Sequence, residues 1–150
     1  MAIMKRILIA TDGSDHALTA ARLAAELAAG MGVELHVLAV ALLNRSEEEE
    51  LRKFAKIEHL EGGIGNAMLE IAKEHVNQAL RQVKVRVAET IKTAVLSGDV
   101  TEEILAYIKN NAIDAVVVGR RGRSRIAGLF LGSVSQKLAT LAPCIVIICP

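Results

Sequence analysis

The chain has 150 residues and a formal net charge of +1, with 18 lysines and arginines against 17 acids; 52% of its residues are hydrophobic and only 2% aromatic. This length and apolar content describe one globular domain over residues 1–150 and exclude a disordered chain. The near-neutral balance gives no overall pull toward DNA or anionic membranes, and so few rings leave little for base stacking, which argues against nucleic acid as a partner.

The opening M-A-I-M-K-R-I-L-I-A lacks the long apolar core of a secretory signal. No later run approaches the roughly 18 apolar residues that cross a bilayer, so no membrane partner and a cytoplasmic location are expected. Met4 to Ala10 predicts a first strand. T-D-G-S-D then makes a tight turn and caps a helix whose stripe is Leu18, Ala21, Ala25 and Ala28, with Leu23 and Leu27 beside them, until Gly30 and Gly32 stop it. Val33 to Val40 predicts a second, central strand. Residues 41–65 form a charged insertion with E-E-E-E at 47–50; some helix is expected around Glu47 to His59, most simply as a solvated face.

From Asn66 the positions Leu69, Ala72, Val76, Ala79, Leu80 and Val83 keep helical spacing, and the helix is extended to about Glu89 although V-K-V-R-V at 83–87 alternates like a strand. Ile91 to Leu96 predicts a third strand, turned by Ser97-Gly98. Asp99 and Glu102 resemble a capping box for a helix that buries Ile104, Leu105 and Ile108 and ends at Asn110-Asn111. Ile113 to Val118 predicts a fourth strand, a helix follows from Gly132 to about Leu141, and after Pro143 the run C-I-V-I-I-C predicts a fifth strand. Cys144 and Cys149 lie on opposite faces of that strand, roughly 16 Å apart, and cannot bridge each other. The four histidines are scattered without metal-ligand spacing. Strands alternating with helices argue for an α/β fold with a parallel sheet covered on both faces.

The stretch G-R-R-G-R-S-R-I-A-G-L-F-L-G-S-V-S, from Gly119 to Ser135, joins the fourth strand to the last helix. A glycine-bearing loop there suits an anion. Gly119 and Gly122 can take positive φ and let N–H groups converge on phosphate oxygens, the helix N-terminus adds its dipole, and the hydroxyls of Ser133 and Ser135 can donate. No acid follows Asp114, whereas Arg120, Arg121, Arg123, Arg125 and Lys137 do, so positive charge gathers beside the loop.

The spacing Gly119-x2-Gly122-x9-Gly132-Ser133, with A-T-D-G-S-D, S-G-D and V-G-R-R-G after successive strands, resembles the ATP-binding signature of the universal stress protein family. The resemblance implies a five-stranded, open, Rossmann-like parallel sheet of order 3-2-1-4-5, whose winding reverses between strands one and four, where ligands of such sheets bind. It implies that Ala10, Thr11 and Asp12 lie against adenine and ribose, that the Val40 backbone meets the adenine edge, and that Gly119, Arg120, Gly122, Gly132, Ser133, Val134 and Ser135 hold phosphates, with Mg²⁺ carried on the phosphates. It also implies a homodimer across the fifth strand, Cys144 to Cys149, which a charge at Val146 or Ile147 should break, and a further protein partner of unknown identity. Plainer alternatives stay open: Asp12 as a helix cap, Gly132-Ser133 as a helix start, Gly119 as a turn.

Neither the P-loop G-x-x-x-x-G-K-[ST] nor G-x-G-x-x-G is present. Binding is therefore better founded than catalysis, and the expected function is a nucleotide-dependent regulator with slow or no hydrolysis. The alternatives are a nucleotide-free dimeric interaction module and an adenylylating enzyme. The latter rests on T-D-G-S-D, which loosely resembles the S-G-G-x-D-S loop of ATP pyrophosphatases but lacks its second serine-glycine.

Overall fold

The computed structural model describes residues 4–42, 63–84, 91–121 and 132–150. Among these residues five strands alternate with four helices: β1 (Arg6–Ala10), α1 (Asp15–Met31), β2 (Glu34–Leu42), α2 (Gly63–Val83), β3 (Ile91–Gly98), α3 (Val100–Asn110), β4 (Ala115–Gly119), α4 (Ser133–Leu141) and β5 (Ile145–Cys149). The sheet is parallel throughout and ordered β3-β2-β1-β4-β5. Alternate strand residues serve two cores, as the pleat requires. Ile7, Ile9, Val37 and Val117 pack with α1 and α2 on one face, and Leu8, Leu38, Val116 and Val118 pack with α3 and α4 on the other.

Several boundaries move from the expected ones. β2 runs past Val40 to Leu42 because β3 continues beside it, pairing Ala41 with Ser97 and Leu42 with Gly98. Ser97-Gly98 therefore ends a strand instead of turning it. Helix α2 starts at Gly63 and stops at Val83, short of Glu89. Val83 is fully buried and Lys84 already lies in a turn; the β-branched alternation that follows disfavours helix through its restricted χ1. The expected helix around Glu47 to His59 lies outside the described residues. β4 begins at Ala115 and takes in Gly119.

Helix α1 turns an alanine face inward. Ala17, Ala20, Ala21, Ala24, Ala25 and Ala28 are buried, while Leu18, Leu23 and Leu27 are half-buried at the flanks. Small side chains let this helix lie close over β1 and β4, where leucines would hold it off. At the opposite end of the sheet, His36 is buried, with Nδ1 2.7 Å from the Tyr107 hydroxyl and Nε2 against Glu34. That contact holds the Glu34 carboxyl below its ordinary range, and burial pushes the Tyr107 phenol up. Cys144 and Cys149 are free thiols in opposite cores, as strand alternation predicts, and burial raises both.

The entry to β1 is tied to β4 by Asp114, whose Oδ2 accepts the backbone N–H groups of Lys5 (2.7 Å) and Arg6 (3.0 Å). Those two donors hold its carboxyl below the usual range, so the folded protein takes up this proton less readily than the unfolded chain. The stabilisation is complete above the unfolded value of about 4 and is lost as pH falls through the folded one. Urea denaturation should show Asp114→Ala less stable than wild type by about 1–2 kcal/mol at neutral pH. The gap should narrow in acid; one that stays constant as the carboxyl protonates would contradict the assignment.

Candidate functional site

The chain doubles back between β1 and β4. The register Ile9 to Val117 brings the tips of these strands side by side at the carboxyl edge of the sheet, the usual crevice for a ligand in an open α/β fold. The T-D-G-S turn leaves β1 through a set of local bonds. Thr11 N–H donates to the Leu38 carbonyl (2.9 Å), Thr11 Oγ1 accepts from Gly13 N–H (3.2 Å), and Asp12 Oδ1 accepts from Ser14 N–H (3.0 Å). Ser14, not Asp12, is the N-cap of α1, its Oγ accepting from Ala17 N–H (3.2 Å). Gly13 sits at φ +78°, a conformation that glycine enters without strain.

The segment after β4 is fastened at both ends. Arg120 N–H donates to the Cys149 carbonyl, the Arg120 carbonyl accepts from Gly132 N–H (2.8 Å), and Ser135 Oγ donates to the Gly119 carbonyl (2.6 Å). A longer contact, Ser14 Oγ to the Arg121 carbonyl at 3.5 Å, joins this segment to the β1–α1 turn. The structure thus brings together Thr11, Asp12, Gly119, Arg120, Gly132 and Ser135. Gly122, Arg123 and Arg125 lie outside the described residues.

Two expectations change in detail. Gly119 is not in the left-handed region; its φ is absent from the positive values, which belong to Gly13, Gly32 and Gly98 among the described glycines. It is a glycine because α1 leaves no room. A Cβ at Gly119 would lie 2.6 Å from His16 Cβ, 2.7 Å from the His16 carbonyl carbon and 2.9 Å from Ala17 N. The second concerns Ser135, whose hydroxyl proton is directed at the Gly119 carbonyl inside a buried contact, so this side chain fastens the loop.

Val40 is not the last residue of β2, yet its backbone suits the role implied for it. The Leu38 carbonyl faces β1 and takes Thr11 N–H. By the alternation of a parallel ladder, the N–H and C=O of Val40 point the same way, beyond the end of β1 at Ala10. On α4, Gly132 offers no side-chain cap and Ser133 is exposed. The first-turn amides of Ser133 and Val134 have no partner within a helix and face the loop end, as an anion site needs. Among the described residues no three His, Cys, Asp or Glu gather closely enough to hold a metal ion, and no helix is long and apolar enough to cross a membrane. Ser14 and His75, whose ring covers Gly13, are residues that spacing alone does not single out. The φ demanded at Gly13 is the one sequence signal near them.

This architecture, an open parallel sheet of order β3-β2-β1-β4-β5 with helices on both faces, defines a Rossmann-like α/β protein. The model of the Universal stress protein family matches residues 4–150, and the chain belongs to that family. It is 32% identical over 150 residues to the universal stress protein YxiE of Bacillus subtilis, covering 97% of this chain and 99% of that one. A universal stress protein of Thermus aquaticus is 32% identical over 153 residues, covering 97% and 98%. Among solved structures, the universal stress protein UspA from Lactobacillus plantarum superposes with a TM-score of 0.77 at 24% identity over the whole of both chains. An Archaeoglobus fulgidus universal stress protein in complex with dAMP gives 0.68 at 23% over the whole of both chains, and a universal stress protein in complex with cAMP gives 0.68 at 24% over 99% of each. At these identities the structural matches speak for the fold.

The close approach at Gly119 is directly testable. Gly119→Ala should force α1 away from β4 and lower stability by about 1–3 kcal/mol in denaturant titration. A variant as stable as wild type would show that α1 does not sit where the geometry puts it.

Proposed function

We propose that this chain is an ATP-binding universal stress protein, a regulator whose nucleotide occupancy sets the shape of the loop after β4 and hence the surface shown to partners. The observation that carries this reading is the meeting of the T-D-G-S turn with the fastened ends of that loop, at the one place where the sheet reverses its winding. Adenine nucleotides named with two related structures, cAMP and dAMP, support the ligand class. Ala10, Thr11 and Asp12 would take adenosine with the Val40 backbone. Gly119, Arg120, Gly122, Gly132, Ser133 and Val134 would take the phosphates, with Ser135 fastening the loop. Mg²⁺ would be carried mainly by the phosphates, since among the described residues no three His, Cys, Asp or Glu gather to hold it. Binding is better founded than catalysis in the sequence, which holds neither a P-loop lysine motif nor G-x-G-x-x-G, and turnover should be below roughly 1 s⁻¹, the low end of ordinary enzymes.

Mass spectrometry of small molecules released by denaturing protein purified without added nucleotide should find an adenine nucleotide, and calorimetry should show heat with ATP. Ser133→Ala should weaken ATP by about tenfold, the value of one hydrogen bond to a charged group. Protein free of nucleotide and giving no heat with ATP would end this reading.

A second reading, independent of nucleotide, is a homodimer across β5. This strand ends the sheet, and Ile145 and Leu141 beside it are 46% and 59% exposed; an open apolar edge invites pairing. Val146 and Ile147 pack partly into the cores, so the cleaner probe is Ile145→Glu, which should turn a dimer into a monomer in sedimentation. A dimer surviving Ile145→Glu combined with Leu141→Glu would place the interface elsewhere.

A further inference from the structure

We propose that His75 is a positioning residue for the adenosine end of this site; the proposal rests on the nucleotide reading above. Helix α2 buries Ala72, Val76 and Ala79 against α1 and the sheet, which leaves His75 half-buried at the flank of that face. Its ring occupies the space that a side chain on Gly13 would fill: a Cβ there would lie 2.5 Å from His75 Cδ2, 2.8 Å from Nε2 and 3.1 Å from Cγ. The turn is closed from within by the Thr11 and Asp12 side chains, which accept from Gly13 N–H and Ser14 N–H. From outside it is closed by this imidazole. Removing the ring leaves Gly13 with a void beside it at φ +78°, in the residue type that holds its backbone least firmly, and Asp12 moves with its neighbour.

The effect should be confined to one end of the ligand. His75 and the turn belong to the sheet face covered by α1 and α2, whereas the phosphate amides open α4 on the other face. A loosened Asp12 therefore weakens the grip on ribose and leaves the grip on phosphate as it was. Loss of binding on changing His75 should be the same for a nucleotide with one phosphate as for one with three.

Calorimetric titration of wild type, His75→Ala, His75→Phe and Ser133→Ala with AMP and with ATP tests this. His75→Ala should weaken AMP and ATP by the same factor, about 3–10-fold, of the order that one packing contact transmits. His75→Phe, which keeps a flat ring over Gly13, should recover most of it, while Ser133→Ala should weaken ATP more than AMP. Unchanged affinity in His75→Ala, a loss that grows with phosphate number, or a phenylalanine no better than alanine would overturn the proposal. Should His75→Ala fail to fold, the wild-type imidazole resonances decide: AMP should shift those of His75 and leave those of His36, sealed at the far end of the sheet, in place; an unmoved His75 would overturn it. If wild type binds neither nucleotide, the nucleotide reading itself is wrong, an outcome distinct from wild-type binding that ignores His75.

Discussion

Everything at the carboxyl edge of this sheet depends on the missing side chain at Gly119. With only hydrogen there, the first turn of α1 settles against the end of β4, the carbonyl carbon of His16 and the nitrogen of Ala17 lying where a methyl group would otherwise sit. The alanine face of α1 carries the same closeness down the helix. Because interiors pack at crystal-like density, this contact sets how near α1 lies to the end of β4. It thereby fixes the Ser14 cap and the turn that precedes it.

Polar bonds then finish what packing begins. The loop after β4 leaves the sheet with the carbonyls of Arg120 and Gly119 taken by Gly132 N–H and Ser135 Oγ, so its two ends are held together by the protein's own bonds. The first-turn amides of α4 have no partner within the helix, Arg120 and Arg121 follow the end of β4, and no acid occurs later in the chain than Asp114. Bonds of the kind made by Gly132 and Ser135 order the two ends of the loop within the protein itself.

Much of this was legible in the residues. Strand–helix alternation, the Ser-Gly-Asp cap of α3 and the opposed faces of Cys144 and Cys149 follow from period and turn chemistry, and strand order followed from the family resemblance. What was not legible is tertiary. Whether Gly119 is a glycine for its φ or for its neighbours depends on where α1 lies, and no local pattern states that. The reach of β2 past Val40 is set by β3, a pairing between distant segments. The alternation after Val83 was visible and was outweighed by the helical spacing before it. Ser135 illustrates the same limit: a serine in the first turn of a helix beside a glycine loop suggests a phosphate ligand, and only the position of the Gly119 carbonyl reveals that the hydroxyl has a protein partner.

The contact between Ser14 and the Arg121 carbonyl spans 107 positions of chain, and this separation governs how the protein comes into being. During synthesis β1 emerges first and can pair early with β2, but its other edge waits for β4, and the loop waits longer still for α4. Closing so long a span is entropically slow compared with forming local hairpins or helices. The crevice is thus among the last features to exist. Anything that bound in the crevice would therefore favour the finished fold, in which β1 and β4 already lie side by side, and could not guide its early stages.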